Sequence, residues 1–78
     1  MTYKDLQKEC RLAERRILEQ HGFSIYLNPS TVNGDSIYVD LGWDNPNDFD
    51  PVTVHNFAAA LQDAALTAIT LEASFFTE

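Results

Sequence analysis

The sequence predicts a small α+β domain in the order α-β-β-α-β, an antiparallel sheet covered by two helices. Three observations predict it. Leu6, Cys10, Ala13 and Ile17 recur at helical spacing near the start of the chain. Two alternating apolar/polar runs then flank a turn-forming stretch, and Asp50-Pro51 opens a second helical run. Seventy-eight residues make a single domain, 1–78, near the size limit below which a core alone rarely holds a fold.

Each element has its own signal. Thr2 is an N-cap, with Asp5 three residues on as a short capping box, and Gly22 supplies the left-handed residue that ends the first helix. The segments 23–27 and 37–43 are rich in β-branched and aromatic residues and alternate in polarity. Between them Asn28 to Asp35 is turn-forming, with Asn33-Gly34 near its end. In the resulting hairpin Phe23, Ile25 and Leu27 share a face with Ile37, Val39, Leu41 and Trp43, while Ser24, Tyr26, Tyr38 and Asp40 lie on the other. Residues 44–51 read as a loop ending in an acidic cap. The second helix is expected to bury Val54, Phe57, Ala58, Leu61 and Ala65. Residues 67–75 alternate cleanly, with Ile69, Leu71, Ala73 and Phe75 on one side, which predicts a third strand; a continuing helix is the alternative.

Composition bounds the function. The chain is 45% hydrophobic, which fits a globular domain in spite of its net charge of −7. All five basic residues lie between Lys4 and Arg16. Residues 1–22 carry five bases against four acids, a balance of +1, and residues 23–78 carry eight acids against no base, a balance of −8. Such a field repels nucleic acid and anionic membranes and attracts cationic protein surfaces. The lone cysteine excludes an internal disulfide and sits on the apolar stripe of the first helix, as a reduced, buried thiol would. Neither a signal peptide nor an apolar run of membrane-spanning length is present, which predicts a soluble cytoplasmic protein.

Motifs of chemistry are sparse. Asp44, Asn47, Asp48 and Asp50 are hard oxygen ligands, but the calcium-loop spacing fails: counted from Asp44, position 6 is Phe49 rather than glycine and position 12 is His55. His21 and His55 fall in no zinc spacing, and one cysteine cannot complete a structural zinc site. Cys10 has no activating base beside it in sequence, and the three glycines form no phosphate loop. The expectation is therefore no enzyme, no metal and no cofactor. Lys4, Lys8, Arg11 and Arg15 form a basic stripe on the first helix, but Asp5, Glu9 and Glu19 flank it. Four cations on an anionic particle are a poor phosphate reader, so no direct nucleic-acid binding is expected.

The outer hairpin face is the better candidate. If both helices lie on one side of the sheet, Tyr26, Tyr38 and Asp40 are left outward, joined by Glu72 and Phe76 of the third strand. If one helix lies on each side, the tyrosines are buried. Outward aromatics ringed by carboxylates suit a protein-binding hot spot that steers cationic partners. In length, in the −8 balance of Phe23 to Glu78 and in its outward tyrosines, the chain resembles the small acidic inhibitors of phages and mobile elements, the anti-CRISPR and anti-restriction proteins. That resemblance implies a non-enzymatic domain that occupies and blocks a nucleic-acid-binding groove on a cationic protein. The residues expected to make the contact are Tyr26, Tyr38, Asp40, Asp44, Asp48, Asp50 and Glu72. The other reading is a structural or assembly subunit that self-associates through the first helix or an edge strand. Monomer and homodimer both remain open.

Overall fold

A computed structural model of the chain describes residues 2–30, 36–42 and 48–76. Thr2 starts the first helix, α1 (Tyr3–His21), through a reciprocal cap. Its Oγ1 accepts the Asp5 N–H at 3.1 Å, and Asp5 Oδ2 accepts the Thr2 N–H at 3.2 Å. Gly22 ends the helix at φ 83°, a conformation open to glycine without strain, and its N–H donates to the Leu18 carbonyl at 2.8 Å. Leu6, Cys10, Ala13 and Ile17 all face the core. Burial in that stripe raises the Cys10 thiol pKa above its ordinary value, so the residue behaves as a small hydrophobe.

Strands β1 (Ile25–Ser30) and β2 (Ser36–Leu41) pair antiparallel, with Tyr26 opposite Asp40, Asn28 opposite Tyr38 and Pro29 opposite Ile37. β1 thus runs through three residues expected in the turn, Asn28, Pro29 and Ser30. The reason lies in the ladder. The Gly42 N–H donates to the Ser24 carbonyl at 2.9 Å, which makes Ser24, Tyr26 and Asn28 the residues bonded to β2 and turns the backbone of Leu27 and Pro29 outward. Proline at an outward position costs no ladder bond.

Side chains of α1 then seal that outer edge. Glu14 Oε2 accepts the Leu27 N–H at 2.7 Å, Arg11 Nη2 donates to the Leu27 carbonyl at 2.8 Å, and the Tyr3 hydroxyl donates to the Pro29 carbonyl at 3.1 Å. The edge is closed against further strands over these residues.

Residues 67–76 form no third strand. The second helix, α2 (Pro51–Phe76), continues through them, so the order is α-β-β-α. Asp50 caps it, its Oδ1 accepting the Thr53 N–H at 2.7 Å. The alternation of Ile69, Leu71, Ala73 and Phe75 is real, but Ala64, Ala68, Leu71 and Phe75 fall at helical spacing too. Nothing between Pro51 and Phe76 breaks a helix: the run holds no glycine and no further proline.

The buried face of α2 also differs from expectation. Ala60, Ala64 and Ala68 point into the core, with Phe57 and Leu61 half-buried beside them, whereas Val54, Ala58 and Ala65 are exposed. An alanine row at i, i+4 and i+8 lets the helix approach its neighbours closely, against a core of Leu6, Ile17, Ile25 and Leu27. Both helices lie on one face of the hairpin. Val39 and Leu41 share that face by register, but of the three β2 residues on it only Ile37 is buried; Leu41 is 56% exposed. Trp43 lies outside the described residues.

Candidate functional site

With both helices on one side, neither helix covers the second face of the hairpin. Tyr26 is 41% exposed and Tyr38 46% exposed, on adjacent strands. Tyr26 faces Asp40 across the ladder, and Tyr38 faces Asn28. Asn28 Nδ2 donates to Asp40 Oδ2, a diagonal cross-strand bond on the face that carries both tyrosines, Asp40 being the cross-strand neighbour of Tyr26 and two residues along β2 from Tyr38. Tyr26, Asn28, Asp40 and Leu41 line an open concavity of about 500 Å³.

Gly42 sits under this arrangement. A Cβ there would meet the Ser24 carbonyl oxygen at 2.7 Å and the Tyr26 ring at 3.1 Å. The close strand approach that seats Tyr26 therefore needs glycine at this position.

The expected contact residues divide. Tyr26, Tyr38 and Asp40 are brought together on the outer face. Asp48 and Asp50 are exposed just ahead of α2, and Asp50 is partly engaged as its cap; the Thr53 hydrogen bonds hold its carboxyl below the ordinary carboxylate range. Asp44 lies outside the described residues.

Glu72 belongs elsewhere. It is on α2, some twenty-two residues and roughly 33 Å of helix from Asp50. Its Oε1 accepts the Ser36 hydroxyl at 2.9 Å and the Ile37 N–H at 2.7 Å, which ties the helix to the start of β2. Phe76 packs against the core rather than outward. Both corrections follow from the missing third strand, which would have set these side chains on the sheet.

Charge pairing is also uneven. Arg16 grips Asp63 through two bonds of 2.8 and 2.9 Å, and His21 Nε2 lies 2.9 Å from the same carboxylate. The Arg16 guanidinium holds the Asp63 carboxyl far below the ordinary carboxylate range, with smaller help from His21 and Thr67. Arg11 pairs with Glu14. Among the described residues Asp40, Asp48 and Asp50 have no lysine or arginine partner. The anionic half is thus matched by the basic helix at Asp63 and unmatched at the hairpin end.

Asn28 was not foreseen as part of the outer face, and Leu41, which belongs by register to the other face, was not foreseen at the edge of the concavity. The signal for Asn28 was its register opposite Tyr38, hidden by a turn-forming neighbour, Pro29. His55 is exposed, and among the described residues no group of three or more His, Cys, Asp or Glu sits where it would hold a metal ion. No described helix is long and apolar enough to cross a membrane.

Fold and face together define a helix-backed β-hairpin domain with an aromatic–acidic outer surface. Comparison with family models, curated proteins and solved structures finds no match for the chain.

Proposed function

We propose that this is a non-enzymatic interaction domain that docks the outer hairpin face onto a cationic protein surface. The observation that carries this reading is the pair of half-exposed tyrosines beside a hydrogen-bonded, unneutralised Asp40 on a sheet face neither helix covers. Tyrosines on paired strands offer rigid area at low entropic cost, and a carboxylate held beside them selects lysine or arginine. Asp48 and Asp50 supply outlying charge; Glu72 takes no part.

Within this class, blocking a nucleic-acid-binding groove is the specific role we propose. A groove built for phosphates meets carboxylates on a fixed scaffold, and the acid excess beyond residue 22 speeds the encounter. Affinity capture with the wild type and with a Tyr26→Ala/Tyr38→Ala variant tests it. The double variant keeps its circular dichroism and loses the captured protein, as does Asp40→Lys. Loss that instead follows removal of Lys4 and Lys8 would place the contact on α1 and end this reading.

A further inference from the structure

α2 carries a second surface, unrelated to the hairpin face. The helix has two charged residues in 26, and both are turned to the rest of the molecule: Asp63 to Arg16 and His21, Glu72 to β2. Its solvent side has none. There Val52, Leu66 and Ile69 are 67%, 58% and 60% exposed. The exposed polar residues of the helix, His55, Asn56, Gln62, Thr70 and Ser74, are uncharged, and exposed large apolar side chains on a helix side without charge mark a contact surface.

His55, Ala59, Gln62, Leu66, Ile69 and Ala73 are all exposed and follow one another at spacings of four, three, four, three and four. That is the spacing of a two-helix coiled-coil seam, with Leu66 and Ile69 its large apolar members and His55 and Gln62 its polar ones. We propose that this seam is an interface with a second copy of the chain, the two α2 helices packing antiparallel about a twofold axis level with Ala64.

The choice of occupant follows from the order of side chains. Antiparallel pairing about that centre sets Ala59 against Ile69 of the second copy, Ala73 against His55, and Gln62 against Leu66. Each alanine meets a larger side chain, on both halves of the seam, as a twofold contact requires. Parallel pairing would set Ala59 on Ala59 and Ala73 on Ala73 and leave gaps at both levels. Opposed helix dipoles favour the antiparallel form as well.

A membrane surface is a poorer fit, since interfacial helices flank their apolar face with lysine and arginine, and the flanks here are Asp63 and Glu72. Asp63, the charge beside the centre of the seam, is already paired with Arg16, and His21 Nε2 lies within hydrogen-bond distance of it. Two seams of this length bury on the order of 1,000 Å² in total, near the lower bound for a specific interface.

Sedimentation of the full chain from about 1 µM to about 1 mM tests this. A concentration-dependent dimer is expected, and it tightens as salt screens the repulsion between two particles of net charge −7. Leu66→Asp, at an exposed position, leaves the fold intact and weakens the dimer by more than about tenfold. Ala59→Ile alone weakens it, and Ala59→Ile combined with Ile69→Ala restores it, because the swapped pair still fits across the axis. A monomer at every concentration overturns the proposal. So does a dimer that ignores Leu66→Asp and is lost on Val39→Pro, which would place the contact on the edge of β2. Neither result bears on partner capture by Tyr26 and Tyr38, so the two surfaces stand or fall separately.

Discussion

Three single positions show how local chemistry sets this molecule. Asp63 ties the middle of α2 to the C-terminal part of α1 through Arg16 and His21. Its folded carboxyl titrates below the unfolded value of about 3.9, so its stabilisation is fully present above about pH 4 and is lost as pH falls further. Asp63→Asn is expected to lower stability by about 1–2 kcal/mol at pH 7, discounted for the half-exposed guanidinium. It also flattens the loss below pH 4, which denaturant melts between pH 6 and pH 2 read directly. Gly42→Ala drives a methyl into the Ser24 carbonyl and the Tyr26 ring, at about 1–3 kcal/mol by chemical denaturation. Cys10, with no exposed surface, should resist alkylation in the native state and react at once when the chain unfolds. Its burial was legible from sequence, because it shares the bearing of Leu6 and Ile17. The Arg16–Asp63 pair was not: the two residues are 47 positions apart, and both lie among many like charges.

At the scale of elements, α1 and the hairpin could be read in advance because each carries redundant signals. The Thr2 cap, the Gly22 stop and the apolar stripe agree on α1, and alternation agrees with the turn residues on β1 and β2. α2 offered no such agreement. Apolar residues surround it, so periodicity selects neither its buried face nor its end, and a strand-like alternation at 67–75 coexists with helical spacing. What resolves it is tertiary: Asp63 and Glu72 mark the flanks and alanines 60, 64 and 68 the contact. Glu72 then caps the edge of β2 from α2 rather than standing on the sheet. Glu72→Ala is expected to cost about 1 kcal/mol and to raise amide exchange at Ile37 while leaving partner capture unchanged. Unchanged exchange at Ile37 would show that the bond carries no load.

For the whole molecule, the layer arrangement separates two surfaces. The sheet turns Tyr26, Tyr38 and Asp40 away from the helices, and α2 turns its uncharged seam away from the core. A dimer through α2 leaves both hairpin faces free, so a two-site target would be held by avidity as well as by contact. The two proposed contacts are expected to respond oppositely to ionic strength, capture through Asp40 weakening with salt and α2 pairing tightening. The charge asymmetry behind this was visible in the bare sequence. The placement of its acids was not, since it depends on whether residues 67–76 form a strand or a helix.

Amide hydrogen exchange on the complex with a captured cationic partner tests the central claim most directly, because it reports which face is covered. Protection gained along β1 and β2 at Tyr26, Asn28, Tyr38 and Asp40, with α1 unchanged, is the result predicted. Protection confined to Lys4–Arg15 of α1, with the hairpin exchanging as in the free protein, would contradict it.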